Sequence, residues 1–219
     1  MPDRPELKSI ADLRKEYTRG GLDEADADPD PIAQFDLWIH QAIQAGIYEP
    51  TAMTLATITP QGEPAARVVL LKHFDHDGFV FFTNYDSDKG RDLAANPRAG
   101  LCFYWDQLER QVRVTGGVSK TSREASEKYF ARRPRGSQLG AWVSRQSKPI
   151  AGRRVLEEDL ARHEAQFAGR DVPCPPHWGG YCVKPDTIEF WQGRQNRLHD
   201  RLRYTRQADG TWKIERLAP

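Results

Sequence analysis

Two short stretches of this sequence carry groups that could hold and transform an anionic ligand. Near the end of an expected helix, Tyr129 and Arg133 stand four residues apart and share a face, with Ser137 just past the break at Pro134. A phenol, a guanidinium and a hydroxyl converging there could grip a phosphate dianion through charge-assisted hydrogen bonds. The same spacing also suits an exposed helix with a basic end. Farther on, the run RLHDR puts Arg197, His199 and Arg201 on one face of a strand and Leu198 and Leu202 on the other. Cationic side chains in a row repel one another unless an anion lies over them. Fanned into solvent, they would be a plain polar strand face.

A third stretch, Arg67-Val68-Val69-Leu70-Leu71-Lys72, is an apolar strand with a cation at each end. Strict alternation sends Arg67 and Lys72 to opposite faces, so one ligand touching both requires strand twist, a bulge or a site between subunits. Its plain reading is a buried strand with snorkelling ends. Among the tryptophans, Trp38 and Trp142 read as core, whereas Trp191, just before Gln192-Gly193 and the RLHDR run, could edge a ring-shaped ligand. His40 and His163 read as helix-surface or core residues. The sequence contains neither GxGxxG after a strand nor GxxxxGK[ST], so side chains must hold any phosphate.

The elements that must position these groups are mainly β with peripheral helices. Asp30 as N-cap, Pro31 and the apolar positions Phe35, Trp38, Ile39, Ala42 and Ile43 predict a helix that stops at Gly46. TAMTLATI, ARVVLLKHF and FVFFTNY, separated by Gly and Pro punctuation, predict an antiparallel meander. A short helix over 88–96 ends at Asn96-Pro97, and strands follow at AGLCFYW and ERQVRVTGGVSK. The capping-box spacing of Thr121 and Glu124 predicts the next helix, running to 132–134. A further helix covers 150–168, with Leu156, Leu160, His163 and Phe167 on one stripe. The remainder reads as strands and hairpins, with Asp209-Gly210 as the last turn. Residues 1–30 read as a mobile, polar N-terminal arm and 31–219 as a single domain.

The 32 basic and 31 acidic residues leave a net charge of +1, which argues against a nucleic-acid surface. The composition, 38% hydrophobic and 29% charged, is that of a soluble globular chain. Cys102, Cys174 and Cys182 form neither a disulfide framework nor a metal-ligand spacing. No signal-peptide-like or membrane-spanning apolar run occurs, so the expected location is cytoplasmic.

Taken together, LRKEYTRGGL, RVVLLKHFD, FFTNYDSDKG, LERQVRV, YFARRPRGSQLGAWVSRQS, FWQGRQNRLHDR and the ending WKIERLAP resemble the pyridoxamine 5'-phosphate oxidase family in order and spacing over nearly the whole chain. The resemblance implies an FMN-binding split β-barrel and a homodimer with one FMN per subunit in a cleft between the chains. It implies oxidation of pyridoxamine 5'-phosphate and pyridoxine 5'-phosphate to pyridoxal 5'-phosphate, with O2 reduced to H2O2. By the family pattern, FMN is held by Arg67, Val68, Val69, Leu70, Leu71, Lys72, Phe82, Thr83, Lys89, Gln111, Gln146, Ser147, Trp191 and Arg201. The substrate phosphate falls to Lys72, Tyr129, Arg133 and Ser137. Arg197 and His199 face the pyridine ring and its reacting carbon, and Arg14 and Tyr17 resemble an arm that closes over the substrate.

Two positions depart from the family pattern. Asp88 stands where a basic residue is usual, and Phe82 where a tyrosine is common. An anion at position 88 predicts weaker or repositioned FMN phosphate binding, with Arg91 as compensation. Two other functions fit the same motifs: a split-barrel flavoenzyme for another substrate, and a protein that carries FMN or pyridoxal phosphate without turnover.

Overall fold

Helix α1 (Pro31–Gln44) begins as predicted: the Asp30 carboxylate accepts from the Ile32 N–H at 3.0 Å, and Pro31 occupies the first turn. Its apolar stripe of Phe35, Trp38, Ile39 and Ala42 is buried. The Phe35 ring lies 4.9 Å from Phe74 and 5.0 Å from both Phe79 and Phe103, which makes α1 the plug of the sheet's concave side. Truncating a ring so enclosed costs about 3–5 kcal/mol.

The computed structural model describes residues 16–219, so Arg14 and the first half of the expected arm lie outside the described residues. After α1 come β1 (Ala52–Ile58), β2 (Pro64–Leu70), β3 (His73–Asp75), β4 (Gly78–Asn84), α2 (Asp88–Ala95), β5 (Arg98–Trp105) and β6 (Arg110–Lys120). Three helices follow, α3 (Arg123–Ala131), α4 (Arg135–Val143) and α5 (Arg153–Gln166), and then β7 (Trp178–Gln192), β8 (Asp200–Arg206) and β9 (Trp212–Arg216). All strand pairs are antiparallel, in the order β2-β1-β5-β6-β7-β4-β3. The long β7 pairs β6 along one edge, and along the other it takes β4 at 178–183 and β8 at 187–192. Between those halves the β6–β7 register shifts at Thr115/Gly116, where a Cβ on Gly116 would run into the Lys184 carbonyl oxygen. The end strands β2 and β3 do not pair with each other, so the sheet is an open, split barrel.

The expected meander holds only in its hairpins. ARVVLLKHF breaks into β2 and β3 instead of forming one strand, because the chain changes edges at residues 71–72. The Leu71 N–H donates to Thr51 O at 2.9 Å, extending the β1–β2 ladder, while the Lys72 N–H donates to Val80 O at 2.8 Å, opening the β3–β4 ladder. The cap of α3 is Ser122, one residue past the predicted Thr121, with its Oγ accepting from the Ala125 N–H at 3.0 Å. Helix α4 escaped the sequence reading, since Pro134 reads as a stop although it is an apt residue to precede a new helix. A second apolar cluster, built from Phe130, Leu139, Phe167, Val172 and Trp178, packs α3 to α5 against the start of β7.

Candidate functional site

The split between β2 and β4 is a cavity of about 610 Å³. Among the described residues, strand β2 has only β1 as a neighbour and β3 covers only the first three residues of β4, so backbone edges of both strands left unpaired by these residues border the gap. The walls are Arg67, Val68, Val69, Leu70 and Lys72 from the β2 side, Phe82 and Thr83 from β4, Lys89 from α2, Tyr129 and Arg133 from the α3 region, and Gln146, Ser147 and Trp178. The edge change at 71–72 is what lets Arg67 and Lys72 reach one cavity, and the same step turns Leu71 into the core, 3% exposed and outside the cavity lining.

Two of the cations in the cleft, Arg67 and Lys89, are supported in different ways. Arg67 Nη1 donates to Thr57 Oγ1 at 2.5 Å, and its Nη2 lies 3.3 Å from Asp92 Oδ2, which also accepts from Thr57 Oγ1 at 2.7 Å. Asp92 is buried, so this carboxylate is a fixed counter-charge behind Arg67. Lys89 is buried as well and, among the described residues, donates only to neutral oxygens, Thr83 Oγ1 at 3.3 Å and Ser87 Oγ at 3.2 Å. Burial, then Arg67, pull its ammonium below the usual lysine value. Asp88, which faces the same cavity, is engaged by Arg91, whose guanidinium also reaches Asp86 O. Arg91, the residue expected to compensate at the FMN phosphate, is thus engaged in an ion pair with Asp88.

Beside these cations rises an aromatic stack. Phe82 lies 4.0 Å from Tyr129 and 5.4 Å from Trp178, the planes within 12° and 10° of parallel. The Arg133 guanidinium sits 4.6 Å over the Trp178 ring, and its Nη1 is buried without a hydrogen-bond partner among the described residues. Burial lowers its pKa accordingly. An unpaired buried guanidinium donor is costly, and an incoming anion would satisfy it. Arg133 lies beyond the last residue of α3, so the shared-face argument for Tyr129 and Arg133 fails, yet the turn into α4 brings both to the cavity. Ser137, on α4, lines an adjoining space of about 340 Å³ with Arg133, Phe82, Thr83 and Gln146.

Trp191, His199, Arg197, Arg201, Gln111 and Tyr17 gather elsewhere. Phe82 stands opposite Gly180 on β7, whereas Gln111 stands opposite Trp191, up to roughly 35 Å farther along that strand at about 3.3 Å per residue. The His199 ring is 4.7 Å from Trp191 and 5.6 Å from Tyr17. Its Nδ1 faces the Arg194 backbone N–H at 3.1 Å; an amide can only donate, so Nδ1 accepts and the ring proton sits on Nε2. Burial, then the charge of Arg197, hold His199 below its ordinary 6.5.

Two features of this second cluster correct the sequence reading. The strand starts only at Asp200, and Arg197 closes a 3-10 turn with φ 62°, next to Asn196 at φ 55°, so alternation does not place Arg197, His199 and Arg201 on one face. Arg201 is not an unbalanced cation, because Glu189, directly across from its neighbour Arg203, binds its Nε at 3.0 Å and Nη2 at 3.2 Å. The counter-ion that the repulsion argument required is supplied by the chain itself.

A family model described as pyridoxamine 5'-phosphate oxidase matches residues 39–167, and one described as the pyridoxine 5'-phosphate oxidase C-terminal dimerisation region matches residues 178–219. The chain belongs to the pyridoxamine 5'-phosphate oxidase family. A pyridoxine/pyridoxamine 5'-phosphate oxidase of Rubrobacter xylanophilus is 61% identical over 97% of both chains, and one of Burkholderia multivorans is 58% identical over 97% of this chain and all of that one. Among solved structures, PhzG of Burkholderia lata in complex with tetrahydrophenazine-1-carboxylic acid superposes with a TM-score of 0.84 at 31% identity, over 89% of this chain and 95% of that chain. A pyridoxamine 5'-phosphate oxidase-related, FMN binding protein of Nostoc punctiforme shares the fold at a TM-score of 0.71 and 19% identity, over 88% of this chain and 100% of that chain.

Within this oxidase-family chain, the non-glycine residues with left-handed backbone are Glu109, Ser147, Asn196 and Arg197, among the described residues. Such strain is retained where surrounding structure enforces it, commonly at functional sites. Ser147 fits, with its Oγ accepting from the Asp88 N–H at 3.2 Å at the start of α2. Sequence reasoning passed over Trp178, Asp92 and Thr57. Trp178 had been absorbed into a strand, and nothing in local spacing signals that Asp92 lies behind Arg67. No helix among the described residues is long and apolar enough to cross a membrane.

Proposed function

We propose that this chain is a cytoplasmic, FMN-dependent oxidase that converts pyridoxamine 5'-phosphate and pyridoxine 5'-phosphate to pyridoxal 5'-phosphate, with O2 as electron acceptor and H2O2 as by-product. The observation that carries this reading is Arg133: a buried, unpaired guanidinium donor beside Tyr129 and Lys72, in a cleft that also holds Arg67 and Lys89. A cavity with that much positive charge and flat aromatic walls suits ligands that are both phosphorylated and ring-shaped. Family membership over the whole chain supports the same conclusion.

FMN fits the residues present. Lys89, with only neutral hydroxyl partners, and the neighbouring α2 N-terminus would take its phosphate, with Ser147 and Gln146 alongside. Arg67, backed by Asp92, would lie near the ring's polar edge, and the exposed edge of β2 offers backbone groups to it. When bound, FMN supplies a hydride acceptor that O2 can regenerate.

The chain's own residues do the rest. Lys72, Tyr129, Arg133 and Ser137 bind the substrate phosphate and so fix the distance of the reacting carbon. Arg197 presses on the pyridine ring, and neutral His199 offers its Nε2–H to the substrate's polar substituent. Arg67 balances negative charge that develops during hydride transfer. Because the cleft and the Trp191–His199 cluster lie at opposite ends of β7, one substrate meets both only if a second copy contributes the latter. The match of residues 178–219 to a C-terminal dimerisation region supports a homodimer that completes each site.

The test is anaerobic addition of pyridoxine 5'-phosphate to the FMN-loaded protein, followed at 300–500 nm. Flavin bands that bleach and return with air support the reading. Bands that persist with this substrate but bleach with a phosphate-free ring acid move the function toward another flavoenzyme activity. Bands unaffected by any reductant substrate leave a carrier of FMN.

A further inference from the structure

We infer that Glu109 is a positioning residue that clasps residues 17–19 and thereby sets Tyr17 against Trp191 and His199. This rests on the reading of Trp191 and His199 as site residues given above. One oxygen, Glu109 Oε2, accepts both the Thr18 N–H at 2.8 Å and the Arg19 N–H at 2.9 Å, across some ninety positions of sequence. The Glu109 carbonyl accepts from the Gly193 N–H at 2.7 Å and from Gln192 Nε2 at 3.2 Å. A single residue in the turn between β5 and β6 therefore ties the N-terminal segment to the end of β7, two positions past Trp191.

The fit beneath the clasp is tight. A Cβ on Gly193 would meet Tyr17 Cγ at 2.8 Å and Tyr17 Cβ at 3.0 Å, so the tyrosine lies directly on the Gly193 backbone. From there its ring meets Trp191 edge-on at 5.7 Å and His199 at 5.6 Å. Farther along the segment, Arg194 Nη1 donates to Gly20 O at 2.8 Å, the Leu22 N–H to Asp200 Oδ2 at 3.0 Å and Arg216 Nη2 to Leu22 O at 2.9 Å, while the Tyr17 side chain also interacts with that of Tyr104. Among the described residues, the Thr18 and Arg19 backbone, next to the tyrosine, is held by Glu109. Its φ of 55° puts it in the same left-handed class as Ser147 and Arg197, and that backbone turn aims the carboxylate outward at the segment.

The Glu109→Gly variant separates this role from folding, since glycine adopts φ 55° without strain while the carboxylate is lost. In the full chain loaded with FMN, two readouts are followed: the rate of trypsin cleavage after Arg19, and KM and kcat for pyridoxine 5'-phosphate. Loss of hydrogen bonds to a charged group predicts cleavage and KM each up by about tenfold, with kcat changed less. Glu109→Gln retains an oxygen acceptor and should recover most of both effects. Cleavage unchanged in Glu109→Gly overturns the clasp, and faster cleavage with unchanged KM overturns its link to the site. Gln behaving like Gly overturns the acceptor geometry. If Glu109→Gly does not accumulate as folded protein, Gly193→Ala crowds Tyr17 directly and should raise cleavage and KM in the same way, and its failure to do so overturns the inference. Should the wild type not oxidise pyridoxine 5'-phosphate at all, the functional reading falls, while the cleavage rates still decide whether Glu109 is the clasp.

Discussion

Replacing Arg133 by Met removes a charge that the free protein holds at a cost and the substrate complex exploits. Its Nη1 is buried with no partner among the described residues, and the guanidinium is 4.6 Å over Trp178. The Met side chain keeps the apolar contact with that ring and abolishes the unsatisfied donor. Hydrogen bonds to charged groups contribute about 1.5–3 kcal/mol, so substrate binding should weaken by roughly 10- to 150-fold. The lost cation–π contact, about 0.5–2 kcal/mol, offsets the relief of the buried donor, which leaves the thermal midpoint nearly unchanged. The assay is steady-state kinetics with pyridoxine 5'-phosphate alongside a thermal melt of the same FMN-loaded sample. Unchanged KM would refute the assignment of Arg133 to the phosphate. A fall in midpoint of many degrees would refute the claim that this guanidinium is a functional rather than a structural charge.

The pH profile should show an acid limb below 6.5, because the neutral form of His199 persists to lower pH when its pKa is depressed; Arg197→Ala, by removing a neighbouring positive charge, should move that limb upward toward 6.5. Arg91→Ala frees Asp88 to oppose the FMN phosphate and should weaken FMN binding severalfold at low salt, less at high salt, as expected of an exposed pair; Asp88→Asn in the same chain should restore it, and fluorescence titration of FMN checks both. Asp92→Asn leaves Arg67 without its counter-charge and should raise the FMN dissociation constant about tenfold with the fold intact by circular dichroism. Gly116→Ala, forced against the Lys184 carbonyl, should lower stability by about 1–3 kcal/mol in urea unfolding.

Much of the architecture was legible because it is encoded locally. The α1 cap at Asp30, the short α2 closed by Asn96, the Asp209-Gly210 turn and the strand at AGLCFYW all follow from residue type, spacing and turn chemistry, and all recur in the structure. The spaced motifs likewise carried the family, which the two family-model matches and relatives covering 97% of the chain establish. Local rules misplaced what depends on partners distant in sequence. Arg67 and Lys72 share a cavity because two different ladders claim Leu71 and Lys72, one through Thr51 and the other through Val80. Arg201 is neutralised by Glu189 on the adjacent strand, and Asp92 stands behind Arg67 from a helix that the sequence separates from β2. Periodicity fixes which way a side chain points only while a strand continues, and charge balance depends on neighbours in space. The sequence therefore determined the elements and the chemistry on offer, and the tertiary pairing decided which charges were left unspent to meet a ligand.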